Sequence, residues 1–234
     1  MVMKIIKNEK LIKRNATIGQ FTSIGALVIL FGGMYISFTK PELANWSLFA
    51  LIIGFVLTQV GMYFGNRWGR RPRPDEQLDA ALKGLPGDGI LYHYSTAVPH
   101  LFVGTAGIWI LLPFHQKGKV TFHKNRWKSS GGGFLQGYLR IFGQESIGRP
   151  DMEASHQASQ LTKEIKKSLS EGEEVPPIYA ALVFLDDKIE IESEGSPYPA
   201  VPVKKLKDLL RKAAKEKPLV HTDLERVKAA LPKE

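Results

Sequence analysis

Six histidines, 23 acidic side chains and no cysteine make up the reactive inventory of this 234-residue chain. Without cysteine there is no thiolate nucleophile, no disulfide framework and no cysteine-based zinc or iron–sulfur site. His93, His100, His115, His123, His156 and His221 show no pairing with each other or with a carboxylate at metal-ligand spacing on a shared element. No metal and no cofactor are therefore expected, and His93 and His123 read as structural residues on strands. Lys117, Lys119, Lys124 and Arg126, with Trp127 beside them, have the types that hold single-stranded nucleic acid, cations for phosphate and a ring for base stacking. Gly131-Gly132-Gly133 is not a phosphate loop, because no following helix carries a Gly-Lys-Ser/Thr step. Asp186-Asp187-Lys188 reads as turn chemistry. Neither a nucleophile elbow nor a dinucleotide fingerprint is present.

The elements that must position these residues fall into two very different parts. No formal charge interrupts Asn15 to Phe38 (NATIGQFTSIGALVILFGGMYISF) or Trp46 to Asn66 (WSLFALIIGFVLTQVGMYFGN). Roughly 20 such residues, rising about 1.5 Å each as a helix, cross a hydrocarbon core of about 30 Å. The polar turn between them contains Lys40, Pro41 and Glu42, so the pair reads as a transmembrane helical hairpin. Trp46 opens the second span and Trp68 closes it, as in an interfacial aromatic belt. Lys4, Lys7, Lys10, Lys13 and Arg14 precede the first span, and Arg67, Arg70, Arg71 and Arg73 follow the second. By the positive-inside rule both termini are cytoplasmic. The first run is too long for a signal-peptide core and has no small-residue cleavage site after it, so both helices are expected to be retained. Gln20 and Gln59 are the most polar residues within the spans, which favours anchoring over transport. Gly61 and Gly65 form a GxxxG, a spacing that brings helices close.

The charge follows this division. The chain carries +9, with a pI near 9.6 and a mean hydropathy of −0.12. Residues 67–234 hold 26 Lys and Arg against 21 Asp and Glu, and four of those cations are the arginines beside the second span. The basic pI is mainly an orientation signal, and the anionic partner it favours is a lipid head group.

Beyond the arginines, periodicity predicts a helix over 75–85, strands over 89–97, 100–104, 108–114 and 119–124, and an irregular Gly-rich stretch over 128–150. A helix over 150–170, strands over 178–185 and 188–192, and an amphipathic helix from Val203 to Ala213 follow. IWILL lacks polar alternation, so its strand is expected to be buried on both faces. Thr222 and Glu225 have capping-box spacing for a short terminal helix.

The run PDEQLDAALKGLPGDGILYHYSTAVPHLFVGTAGIWILLPFHQKGKVTF resembles the nuclease-related domain (NERD) family of the restriction-endonuclease-like superfamily. The resemblance covers roughly residues 74–215, including the helix with His156, Gln157 and Gln160, the strand YAALVFL and the closing VPVKKLKDLL. It implies a mixed α/β sheet flanked by helices. The family pattern has a helix glutamate, an Asp-His-like pair opening a strand, a Gly turn, a strand ending Glu-x-Lys and a Lys-Gly step. Glu76 matches the glutamate, His100 the His, Gly107 the turn and Lys117-Gly118-Lys119 the exit. The Asp position falls on Pro99, and the Glu and Lys positions fall on Leu112 and Phe114. Such nucleases need paired carboxylates to hold a divalent cation that activates water, and Pro, Leu and Phe cannot coordinate one. The resemblance therefore implies a pseudonuclease.

The expected organisation is a basic cytoplasmic N-terminus (1–14), two spans (15–38 and 46–66) around an external loop (39–45), and a basic linker (67–74). A nuclease-related-like domain (75–216) and a helical tail (217–234) complete it. The expected role is binding or scaffolding at the cytoplasmic membrane face. Membrane lipid is the first partner, with a protein or nucleic acid after it. The alternatives are an active nuclease with migrated carboxylates (Glu76 with Glu145, Asp151 or Asp186) and a structural subunit of a membrane assembly.

Overall fold

The computed structural model describes residues 3–130, 147–170 and 172–233. The chain divides into two compact units, Glu9–Arg73 and the combination of Met1–Asn8 with Pro74–Glu234. Gly131-Gly132-Gly133, Glu145 and most of the Gly-rich stretch lie outside the described residues.

In the first unit, α1 (Glu9–Thr39) and α2 (Ala44–Phe64) are joined by a 3-10 turn, Pro41–Leu43. Each is long and apolar enough to cross a membrane. Their residue pattern is inside out. Within the two apolar runs the buried positions are small or polar: Asn15, Gly19, Ala26 and Gly33 on α1, after the buried Ile12 of its basic first turns, and Ser47, Gly54 and Gly61 on α2. The large apolar side chains point outward, with Phe21 70%, Val28 66% and Phe38 82% exposed. Water would reverse this arrangement, whereas lipid tails favour it, because small residues let two backbones approach. A Cβ on Gly61 would lie 2.4 Å from Ser23 Oγ, and one on Gly33 would lie 2.7 Å from Ala50 Cβ. A Cβ on Gly65 would meet nothing, so only the first glycine of the GxxxG is itself a close-contact point. After α2 the chain winds through one π turn, Gly65–Gly69, which carries Arg67 and the buried Trp68.

The second unit is built on a six-stranded sheet in the order β1-β2-β3-β4-β7-β9. Its strands are β1 (Lys4–Lys7), β2 (Ile90–His93), β3 (His100–Gly104), β4 (Gly107–Phe114), β7 (Ile178–Phe184) and β9 (Ala200–Pro202). β2, β3 and β4 run antiparallel in succession, while β1 joins β2, β7 joins β4 and β9 joins β7 in parallel. α3 (Pro74–Leu82) precedes β2, and α4 (Pro150–Lys166) precedes β7. α5 (Leu206–Glu216) and α6 (His221–Ala230) close the chain. Alternation along β4 sends Ile108, Ile110 and Leu112 into one apolar cluster with α4 and α6. Trp109 and Leu111 enter the other, with α3 and α5. IWILL is thus buried on both faces, as its unbroken hydrophobicity predicts. A small second sheet, in the order β6-β5-β8, joins β5 (Lys119–His123), β6 (Arg126–Ser130) and β8 (Glu190–Glu192).

Three differences from the sequence reading have physical causes. The strand predicted over 89–97 stops at His93, because Tyr94 takes φ +56° and turns the chain. Lys4–Lys7, read as a basic flank, is an edge strand whose partner β2 lies far along the chain. The capping box at Thr222 is not formed. Val220 is the residue before the helix, and no side chain caps it.

Candidate functional site

Leu112 and Phe114 lie at the end of β4, on the face covered by α4. The Phe114 ring packs, tilted by 32°, on Phe184 of the neighbouring strand β7, with centroids 5.6 Å apart. Pro99 precedes β3, and its carbonyl accepts the Tyr94 N–H at 2.8 Å. Continuing the β3–β4 register, with Leu101 opposite Ile110, sets Pro99 opposite Leu112. Three of the four degenerate positions therefore share one strand pair. Glu76 is not with them, since its helix α3 packs its Leu78 and Leu82 on the opposite face of the sheet. Of the carboxylates in the migrated-site alternative, Asp151 lies beside Arg149 at the start of α4. Asp186 caps its own turn by accepting the Lys188 N–H at 2.8 Å. Among the described residues, no three His, Asp or Glu side chains are placed to hold a metal ion.

The basic cluster occupies the second sheet and its approach. Lys124 and Asn125, at φ +50° and +57°, form the tight turn between β5 and β6. Lys119 pairs with Glu192 at 2.5 Å across β5 and β8. Trp127 is only 6% exposed and packs on Phe122 and Phe184. The stacking role expected of Trp127 has no free ring face. Its inward direction follows from strand alternation, with exposed Arg126 and Lys128 on either side.

In the hairpin unit, Arg14 lies on the second turn of α1, and Arg70 and Arg71 follow the π turn. Arg67 lies over the Trp68 ring, its guanidinium carbon 5.4 Å from the centroid. Trp46 is exposed near the start of α2, at the end of the hairpin away from these cations.

A constellation that the sequence reading missed lies on the α3 face of the main sheet. His93 and His100 are direct cross-strand partners, both buried, with their Nδ1 atoms 2.7 Å apart. His93 Nε2 is 3.0 Å from Asp79 Oδ1, one turn along α3 from the fully buried Asp75. Lys7, from β1, donates to Asp75 Oδ2 at 2.9 Å and also to Asp79 Oδ2. The bonding order fixes the tautomers. With Asp79 ionised, a neutral His93 carries its proton on Nε2, so its Nδ1 must accept, and His100 must donate from Nδ1. The result is a polar chain, Lys7–Asp79–His93–His100, in which every link has a donor and an acceptor.

The chain matches none of the family models, curated proteins or solved structures with which it was compared.

Chemically, the polar chain acts as a clamp. Its two imidazoles are enclosed, and its cation joins the residue stretches on either side of the hairpin: Lys7 just before α1 and Asp75 just after Arg73. Burial pulls the Lys7 ammonium down, but hydrogen bonds and charge from Asp79 and Asp75 outweigh it and leave its pKa raised above 10.5. Burial alone pushes the Tyr92 hydroxyl up to about 12 from 10.0. For both groups the folded state holds its proton at pH values where the unfolded chain releases it. The stabilisation from Tyr92 is complete below about pH 10 and declines as pH rises towards about 12, and that from Lys7 declines as pH rises past its ordinary value of 10.5. Alkaline titration of the full chain, followed by tryptophan emission, is expected to show unfolding in that window. Tyr92→Phe should flatten the dependence. A profile that is flat from pH 9 to 12 would contradict the assignment.

Proposed function

We propose that the chain is a membrane-anchored, non-catalytic domain of nuclease-related type that serves as a binding or scaffolding module at the cytoplasmic face. The observation that carries this reading is the packing of Leu112 and Phe114. Where the resemblance calls for a carboxylate and a lysine, these side chains enter a continuous apolar cluster with Ile110, Leu182 and Phe184. A metal-binding nuclease centre there would require buried charge, which is costly without partners. The succession α3-β2-β3-β4-β5-β6-α4-β7, in which β5 and β6 leave for the second sheet, also accords with a restriction-endonuclease-like core carrying an inserted hairpin.

The inside-out helices support the anchor. Both chain ends of the hairpin belong to one folded unit, so both lie on the same side of any bilayer that it crosses. Lys10, Lys13, Arg14, Arg67, Arg70 and Arg71 make that side the cytoplasmic one.

Two experiments on one variant test the two halves. Because the chain has no cysteine, Ala44→Cys gives a unique label, and it is expected to react with an impermeant maleimide from the outside of intact cells. Labelling only after permeabilisation reverses the topology. The same protein is expected to leave single- and double-stranded DNA uncut in Mg²⁺ or Mn²⁺. Metal-dependent cleavage abolished by Glu76→Ala would establish the active alternative instead.

A further inference from the structure

A cavity of about 580 Å³ opens on the α5 side of the sheet-bearing unit, between the loop Leu85–Gly87, the β3–β4 turn and one face of α5. That size is within the range of small-molecule sites. Its shape traces to glycines. A Cβ on Gly89 or on Gly104 would come within 2.7 Å of the Phe102 ring, so the bare glycines leave room for this buried ring beneath the cavity. Gly87, at φ +106°, turns the loop away above it.

The chemistry of the lining is one-sided. Leu85, Pro86, Phe102, Ala106, Leu210 and Ala214 are apolar, and Thr105 contributes a hydroxyl. The turn's carbonyls are already engaged: Thr105 O accepts the Leu219 N–H at 3.0 Å, and Ala106 O accepts the Trp109 indole N–H at 2.7 Å. An occupant therefore meets a hydrocarbon wall. The remaining polar lining is cationic, Arg211 and Lys215, one turn apart on α5. Arg211 also approaches Asp208 at 3.6 Å, an exposed pair of small worth that leaves its other nitrogens available.

A hydrocarbon wall with two cations at its rim selects a hydrocarbon body with one anionic head. We propose that this cavity binds a fatty-acid anion, its chain against Pro86 and Ala214 and its carboxylate at Arg211 and Lys215. The arrangement assigns a ligand class to the binding module without depending on the nuclease-related reading.

The test uses the full chain in phosphatidylcholine nanodiscs with a diazirine-bearing palmitic acid, irradiated and mapped by mass spectrometry. Adducts are expected on peptides spanning 85–87 and 210–215, displaced by excess palmitate. Arg211→Glu/Lys215→Glu is expected to reduce them at least tenfold while adducts on α1 and α2 stay unchanged. Ala214→Phe, which fills the cavity without altering charge, should do the same. Adducts confined to the hairpin, or pocket adducts indifferent to both variants, would overturn the proposal. So would equal pocket labelling by a diazirine phosphatidylcholine, because a neutral two-chain lipid lacks the recognised head. The hairpin adducts report separately on the anchor, so failure of the pocket and failure of the membrane reading give different maps.

Discussion

Lys7→Met is expected to destabilise the sheet-bearing unit by about 3–5 kcal/mol, the range for removing one partner of a buried ion pair. The reason is the buried carboxylate whose charge Lys7 balances. Asp75 has no exposed side-chain surface, and Lys7 is bonded to it at 2.9 Å. Asp79, 20% exposed, retains some water and its bond to His93, so it suffers less. Methionine keeps the length and apolar stem of lysine, which leaves the loss of charge as the main change. The effect should show as a lower urea midpoint with an unchanged slope. It should also show as faster amide exchange over Lys4–Lys7, because β1 is a four-residue edge strand with one sheet neighbour. Lys7→Met/Asp75→Asn removes both charges of the pair and should recover part of the loss. A double variant as unstable as the sum of the singles would show that the two residues do not interact.

This clamp also shows which parts of the fold were legible in the sequence. Elements set by local pattern were readable: IWILL as a doubly buried strand, the amphipathic face of α5, and two apolar runs of spanning length. What was hidden depends on pairing across distance. The segment KIIK looks like a basic flank until β2 is placed beside it. Spacing along a single element cannot pair His93 with His100, which meet across the antiparallel pair, on either side of a turn. Their near-symmetric spacing about Tyr94–Pro99 was the available signal. Nothing local announced Asp79, which arrives from a helix. Trp127 was misread for a related reason. Its neighbours are cationic, but strand alternation turns the ring into the core while they face water. The sheet edge divides in the same way. Continuing the β3–β4 register sets Pro99 opposite Leu112, whereas Glu76 goes to the other face with its helix.

The largest effect in the hairpin is expected from Gly61→Leu, which should separate α1 from α2. Even a Cβ at this position would stand 2.4 Å from Ser23 Oγ and 3.1 Å from the Ser23 nitrogen. The side chain could swing away, but the backbone cannot, so a leucine must push the helices apart. Overpacking in a well-filled core costs typically about 1–3 kcal/mol, and here the contact is backbone against backbone. The seam offers little slack. Gly19, Ala26 and Gly33 recur every seventh residue on α1, as do Ser47, Gly54 and Gly61 on α2, so displacement at one level is carried to the next. Lipid provides no hydrophobic penalty to hold the helices together once packing is lost. With cysteines at the exposed Val28 and Phe55 as spin-label sites, pulsed distance measurement in nanodiscs should give a longer and broader distribution for Gly61→Leu than for the parent pair. Gly65→Leu is the control, because a Cβ there meets nothing and the distance should hold. If both variants leave the distribution narrow and short, the glycine seam is not what brings these helices together.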